Sequence, residues 1–183
     1  LDDGVYTDLT FSNPTNVTVN AGGTANQDHT ITTVGATTQA NVQIQATWRG
    51  TEATSLRFIS GAAPANLTIS MLGAAVVSIT GMTMFAPRAA PGPYVGGETI
   101  TLRVAFANTA PAGSASASVD ATLDDGAYTG LTFGDPANVT VNAGGTANQD
   151  HTITTAGATT SAVSITATWR GSEQYSTRFI SGA

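Results

Sequence analysis

The sequence predicts an all-β chain made of tandem β-sandwich domains, one complete and one partial. Short segments alternate between apolar and polar residues with a period of two, which is typical of half-buried strands. Turn residues separate these segments at spacings of roughly 8–12 residues, and no helical period is present, which favours a sandwich over a βαβ fold. A long internal repeat is the third observation, because similarity between neighbouring segments indicates duplication of one structural unit.

The repeat begins at Leu1, where LDDGVYTDLTFSNPTNVTVNAGGTANQDHTITT has a close copy, LDDGAYTGLTFGDPANVTVNAGGTANQDHTITT, starting at Leu123. The similarity continues through ATWRG and ends in RFISGA in both copies, and one residue near Asn41 has no counterpart. The repeat predicts two domains: 1–62 as the C-terminal half of a repeat and 63–183 as a complete repeat.

The first residue of the chain aligns with the interior of an apolar run. Leu1 corresponds to the leucine of SVDATL, at position 123, and the chain has neither an initiator Met nor a signal peptide at its start. We therefore expect a window from a longer chain. Residues 1–62 would lack their opening strands and leave an unpaired sheet edge and an open core, which a strand from the same chain or from another could fill.

The complete copy contains a regular series of predicted strands. In the second of them, Ile100, Leu102, Val104 and Phe106 alternate with polar or small residues and are expected to face the core. The predicted strands are 66–71, 98–108, 115–123, 128–133, 138–142, 146–154, 161–169 and 175–181.

The segment 73–97 breaks this rhythm. Its apolar beginning is followed by Pro87, Pro91 and Pro93, and proline lacks the N–H that a central strand needs. A long loop within the domain, an edge element and a strand that reaches a neighbouring subunit are the three interpretations of this segment.

Composition excludes some functions and favours others. Only 10% of the residues are charged, against about 25% in an average domain. The net charge of −6 and the absence of lysine disfavour nucleic acid as a partner, since phosphate binding needs clustered cations. No apolar run approaches the ~18 residues of a membrane-spanning helix. Without lysine, Lys–Asn isopeptide cross-links are excluded, and without cysteine, disulfides are excluded.

Three segments carry a resemblance to a known family: the proline-led start PANLT (64–68), GGETITLRVAFANT (96–109) and AGGTAN (143–148). With these segments the chain resembles the surface Ig-like tandem repeats of bacteria and archaea, CARDB-type and related. The resemblance covers 63–183 and, as a partial copy, 1–62. It implies immunoglobulin-like β-sandwiches on large secreted or surface-anchored proteins, where such repeats serve as stalks, adhesin modules or appendages to enzymes.

Acidic residues beside glycine are the first candidate binding groups. Asp2 and Asp3, like Asp124 and Asp125, could offer oxygens to calcium, which needs 6 to 8 ligands. The same residues are also typical of Asx turns, which need no metal. His29 and His151 occupy equivalent positions, each after an aspartate, and adjacent strand residues point to opposite faces, so we expect strand or rim histidines rather than metal ligands.

Three sequons make Asn16, Asn66 and Asn138 candidate glycosylation sites. Each asparagine alternates with an apolar neighbour expected to point inward, so each should be exposed. About as many sequons are expected by chance in a chain so rich in Ser and Thr.

Two tryptophans are the candidate ligand-stacking residues. Trp48 and Trp169 each end an apolar strand face, where an aromatic side chain usually closes the core, and a sugar-stacking platform is the alternative. Four arginines lie beside these aromatics in the two copies, at 49, 57, 170 and 178. Packing or a cross-strand ion pair with Glu52 or Glu173 is expected of them rather than substrate binding.

No catalytic constellation can be assembled from the sequence, so we expect a protein that is not an enzyme and has no cofactor. The first functional hypothesis is a structural fibre or stalk, because the short connection at 62–66 is not a flexible linker. The second is a filament polymerised by strand complementation between units. The third is an adhesin or carbohydrate-binding module. The predicted partners are other copies of the chain or neighbouring repeats, at an extracellular or cell-surface location.

Overall fold

The computed structural model describes residues 1–33, 40–156, 162–176 and 178–183. Over these residues the chain is all-β, with antiparallel strands and no helix, as the alternation predicted. The strands are β1 (Leu9–Phe11), β2 (Ile31–Thr33), β3 (Ala40–Ile44), β4 (Thr47–Thr51), β5 (Phe58–Ala62), β6 (Leu67–Met71), β7 (Val77–Ala86), β8 (Thr99–Asn108), β9 (Ala117–Asp124), β10 (Leu131–Phe133), β11 (Val139–Val141), β12 (Thr146–Thr155), β13 (Thr166–Glu173) and β14 (Phe179–Gly182).

Two compact units divide the chain between Gly73 and Ala74. We call Leu1–Gly73 unit 1 and Ala74–Ala183 unit 2. The repeat placed its boundary after Ala62, so the segment that contains β6 belongs to the complete repeat by sequence and to unit 1 by its contacts.

Unit 2 contains two four-stranded antiparallel sheets around one core, an arrangement consistent with a β-sandwich. One sheet has the order β10-β12-β8-β7 and the other has the order β11-β9-β13-β14. Val104 and Phe106 of β8 and Val119 of β9 are completely buried between them. The alternation predicted for β8 is confirmed, since Ile100 and Leu102 are also buried.

The segment 73–97 forms an edge strand followed by a loop. β7 pairs antiparallel with β8 at the end of its sheet, and two irregularities in the register interrupt the pairing. The three prolines follow β7, where no ladder hydrogen bond is lost. Arg88 and Glu98 form a bidentate ion pair across this loop, with N···O distances of 2.6 and 2.9 Å. Two of the three interpretations therefore describe parts of the segment: the edge element applies to β7, and the loop within the domain applies to the part that contains the prolines.

Unit 1 has three two-stranded sheets, β1-β2, β3-β6 and β4-β5. Its core is small, with Leu9, Val42 and Ile44 buried and Ile69 and Met71 of β6 packed against them. An isolated bridge joins Asp2 to Gln45. The bridge repeats the pairing of Asp124 with Thr166 in unit 2, so the end of the β9 equivalent keeps its register in unit 1.

Most predicted strands are present with shifted ends. The clearest difference is the strand predicted at 161–169, which begins at Thr166 as β13; Ser161 lies outside the described residues. The alternation of Val163 and Ile165 is that of a strand, but no neighbouring strand pairs with 162–165 among the described residues. A strand needs a partner for its backbone, so the apolar alternation alone overestimates its length.

Candidate functional site

One sequence adopts two structures in this chain. NVTVNAGGTANQDHTITT occurs at 16–33 and again at 138–155. In unit 2 it forms β11 and the ten-residue β12, which pair with β9 and β8. In unit 1 only its last three residues form a strand, β2. Because the residues are identical, the partner strands decide the structure.

Side-chain burial follows the same division. Trp48 is 52% exposed and its counterpart Trp169 is 6% exposed, while Val19 is 59% exposed and Val141 is completely buried. These side chains are apolar and large, and water contact with them is unfavourable. We call Val19, Gln27, Ile31 and Trp48 the uncovered residues; their counterparts in unit 2 are Val141, Gln149, Ile153 and Trp169.

Gln149 connects the two sheets of unit 2. Its side-chain oxygen accepts a hydrogen bond from the backbone N–H of Ala121 at 2.7 Å, and its amide group donates to the carbonyl oxygen of Ala137 at 3.0 Å. The residue is 1% exposed. Gln27 keeps the equivalent of the second bond, to the carbonyl oxygen of Thr15 at 2.7 Å, but its oxygen has no partner among the described residues.

A carboxylate with three donors joins the start of unit 2 to its last hairpin. Glu173 accepts hydrogen bonds from the Arg178 guanidinium at 2.5 Å, the Ala75 backbone N–H at 2.7 Å and the Ser176 hydroxyl at 2.9 Å. Its side chain is 6% exposed. The Arg178 guanidinium, assisted by these other donors, lowers the pKa of Glu173 from 4.5 to about 2, and burial acts in the opposite direction.

Unit 1 contains a reduced form of this cluster. Glu52 accepts from the Arg57 guanidinium and from the Ser55 hydroxyl, both at 2.5 Å. The Arg57 guanidinium lowers the pKa of Glu52 as well. The carboxylate is 38% exposed, however, and no backbone donor equivalent to that of Ala75 reaches it from the part of the chain that the structure describes. The ion pair expected of these arginines is therefore formed by Arg57 and by Arg178.

The two Asp-Asp-Gly segments form Asx turns. Asp2 accepts a hydrogen bond from the N–H of Gly4 at 2.8 Å, and Asp124 accepts one from Gly126 at 2.7 Å. Both glycines have a positive φ, 73° and 71°, which the turn requires and other residues rarely adopt. The turn accounts for the first aspartate and for the glycine in each copy.

Asp3 and Asp125 are the second aspartates of these turns. Each has one buried carboxylate oxygen, Oδ2, without a hydrogen-bond partner. Calcium requires several converging oxygens, and the part of the chain that the structure describes holds no group of three acidic or His ligands. The calcium interpretation of the four aspartates thus stays a prediction.

The two histidines differ in their surroundings, because His151 lies in β12 and His29 lies before β2. His151 is 2% exposed, with Nδ1 3.3 Å from the carbonyl oxygen of Gly134, so it is part of the core. Its neighbour Asp150 points to the other face of β12 and forms a bidentate ion pair with Arg103 at 2.7 Å. His29 is half-buried, with Nδ1 3.2 Å from the carbonyl oxygen of Ser12. In unit 2 the two side chains therefore do not converge.

The remaining candidates are surface groups. Asn16, Asn66 and Asn138 are all exposed, as expected of glycosylation acceptors. One open depression in unit 2 is lined by Asp124, Tyr128 and Val163 among others, and a second is lined by polar residues around Arg170. Neither brings a hydroxyl nucleophile together with a histidine.

Comparison with protein-family models, curated protein sequences and solved structures gives no match to this chain. The resemblance to CARDB-type repeats thus stays a prediction. The described residues include no helix long and apolar enough to cross a membrane.

Proposed function

We propose that this chain is a structural, non-catalytic repeat of an extracellular fibre, stalk or surface filament built from tandem Ig-like domains. In this proposal each incomplete domain is completed by strands from another copy of the repeat. The observation that carries it is the exposure, in unit 1, of residues whose counterparts are core residues in unit 2.

The covering strands in unit 2 define what unit 1 lacks. β8 pairs with β12 along nine residue pairs, and β9 pairs with both β11 and β13. The strands of unit 2 that have no counterpart segment in unit 1 are β7, β8 and all but the end of β9, and all three lie within 74–124. A copy of this segment would give the uncovered residues the same neighbours in the same register, because Asp2 already pairs with Gln45 as Asp124 pairs with Thr166.

A glycine in both copies supports this assignment. A Cβ at Gly171 of β13 would clash with the backbone oxygen of Ser118, so the close approach of β9 requires glycine there. At the counterpart Gly50, a Cβ would meet nothing within 4 Å. Unit 1 alone has no use for a glycine at this position, whereas a strand equivalent to β9 would need it.

The composition of the chain and the contacts of its charged and histidine side chains support a structural role over catalysis. Glu52, Glu173 and Asp150 are held in ion pairs with arginine, and His151 is buried in the core. The low charge and the absence of lysine and cysteine suit a surface-exposed repeat, with other copies of the chain rather than nucleic acid or a lipid bilayer as partners.

Electron microscopy of the material as it occurs naturally tests the proposal. Filaments with a regular subunit spacing are expected, and separate particles would overturn the fibre. The completion step has its own test: a chain in which a copy of 74–122 is joined ahead of Leu1. With Trp169→Phe, the emission of Trp48 should move to shorter wavelength as the indole is covered.

The matched control carries Val104→Asp and Phe106→Asp in the added copy only. Both residues are completely buried in unit 2, so the altered copy should not cover Trp48. An equal change in emission with the altered copy would contradict the assignment. Sedimentation then decides the source of the strands: covered monomers indicate completion within one chain, and covered dimers indicate exchange between chains.

The second candidate function is an adhesin or carbohydrate-binding module, favoured by the 52% exposure of Trp48. Aromatic rings that are open to solvent can stack on sugars. Glycan-array binding that is lost on Trp48→Ala and kept on Trp169→Phe would support it. Trp169 is a core residue, so its ring is not offered to a ligand.

A further inference from the structure

The opening strand of the complete repeat is hydrogen-bonded to the preceding half repeat. β6 pairs with β3 over five residue pairs, among them Ile69 with Val42 and Leu67 with Ile44. The path is continuous, because β5 pairs with β4, and the N–H of Ala63 then donates to the carbonyl oxygen of Ala46 at 2.7 Å. β5 and β6 thus run one after the other along β4 and β3.

Unit 2 repeats the first part of this arrangement. β14 pairs with β13, and Trp169 faces Gly182 as Trp48 faces Gly61 in unit 1. The residues that correspond to β3 are at 162–165, with Val163 and Ile165 matching Val42 and Ile44. Among the described residues no strand pairs with 162–165, and this segment is not itself a strand.

Burial differs in the expected direction. Val42 and Ile44 are each 3% exposed in unit 1, where Ile69 and Met71 of β6 pack against their cluster. Val163 and Ile165 are only half-buried in unit 2. An open depression borders the same place, lined by Val163 and by Asp124 and Tyr128.

We infer that the edge at 162–165 is an acceptor for one specific strand, a copy of β6 with its lead-in, equivalent to 63–71 of a further repeat. The register follows from unit 1: the copy of Ile69 lies opposite Val163, and the copy of Leu67 lies opposite Ile165. The added strand is antiparallel and continues the path of β14. Its polar face, which carries the copies of Thr68 and Ser70, lies on the side away from the core.

This inference deepens the proposed function, on which it rests for the existence of further repeats. In this arrangement two neighbouring repeats are joined by one strand, which belongs to the second repeat in sequence and pairs with the edge of the first. Each repeat then begins by completing the edge of its predecessor, and the compact unit starts after that strand, as it does at Ala74.

The test is the full chain extended after Ala183 by a copy of 63–72. Hydrogen exchange is measured at the amides of 162–165 and at those of β3 as an internal reference. The extension should slow hydrogen exchange by ~10-fold or more at those amides of 162–165 that point towards the added strand, because they become hydrogen-bonded to it. β3, whose own partner is unchanged, should keep its exchange rates.

The matched control carries Ile69→Asp and Met71→Asp in the added copy only, since these are the two side chains of β6 that pack against the core of unit 1. It has the same length and the same connection, but its apolar face cannot pack, so it should leave 162–165 unprotected. Equal protection by both extensions, or protection by neither, would overturn the inference.

A second arm uses the unextended chain at increasing concentration. If two chains pair edge to edge, 162–165 becomes protected as dimers form, and the acceptor is then for its own copy, which also overturns the inference. The proposed function fails separately. If native filaments are seen but the amides of 162–165 are not protected in the extended chain, only the shared strand is refuted. If those amides are protected but native filaments are not seen, only the fibre is refuted.

Discussion

Replacing Glu173 by glutamine should weaken unit 2 in a way that depends on pH. The pKa of Glu173 is lowered from 4.5 to about 2, and lowering a pKa by one corresponds to about 1.4 kcal/mol. The ionised side chain therefore contributes about 3 kcal/mol to the free energy of unfolding. Since the folded pKa lies below the unfolded one, this contribution is complete above pH 4.5 and is lost as the pH falls towards 2.

Urea unfolding at several pH values measures this contribution. The chain has two tryptophans, one in each unit, so Trp169 reports on unit 2 in a Trp48→Phe background. Both chains carry the other acids with lowered pKa, such as Glu98 and Asp150, so their effects cancel in the difference. The difference between Glu173 and glutamine should be about 3 kcal/mol at pH 7 and should approach zero near pH 2.

The repeat supplies the control. Glu52→Gln removes the same arginine pair, but from an exposed carboxylate with no backbone donor, so its effect on unit 1 should be much smaller. The reasoning is refuted if the two substitutions cost the same, or if the cost of Glu173→Gln does not change between pH 4.5 and 2.

Two further predictions use matched positions in the same way. Gly171→Ala should destabilise unit 2 by about 1–3 kcal/mol, because the new Cβ would clash with the backbone of β9, whereas Gly50→Ala should leave the stability of unit 1 unchanged. Tryptophan fluorescence during urea unfolding measures both, and equal losses of stability would contradict the close approach of β9. Gln149→Leu should destabilise unit 2 by about 1–3 kcal/mol, because the N–H of Ala121 loses its hydrogen-bond partner in the core, whereas Gln27→Leu should change the stability of unit 1 little. Hydrogen exchange at the Ala121 amide should become faster in Gln149→Leu, and an unchanged rate would contradict this hydrogen bond.

Local patterns in the sequence predicted what depends on local physics. The alternation in β8 placed Val104 and Phe106 in the core, and the same rule placed Asp150 and His151 on opposite faces. Asp124 forms the predicted Asx turn, because the hydrogen bond to Gly126 lies within three residues. These features need only the geometry of a strand or a turn.

Features that depend on partner strands could not be predicted in this way. The identical segments 16–33 and 138–155 differ in structure only through the strands beside them. The strand predicted at 161–169 is shorter for the same reason, since no strand pairs with 162–165 among the described residues. Sequence reasoning also missed Gln149, although its alternation with His151 and Ile153 was a signal that a polar residue faces the core and needs hydrogen bonds there.

Three polar or glycine residues occur at equivalent positions in both units but have their structural partners only in unit 2. Unit 1 carries Gln27, Glu52 and Gly50 in the places of Gln149, Glu173 and Gly171. Among the described residues of unit 1, the side-chain oxygen of Gln27 has no partner and Glu52 has no backbone donor. A Cβ at Gly50 would meet nothing within 4 Å. Each would acquire a role if a copy of 74–124 lay against it, because those residues supply the partner in unit 2. The three positions need different things: a donor N–H for the glutamine, another for the glutamate and a close backbone for the glycine. One covering segment meets all three, which is a stronger argument for completion by another repeat than the exposure of apolar side chains alone.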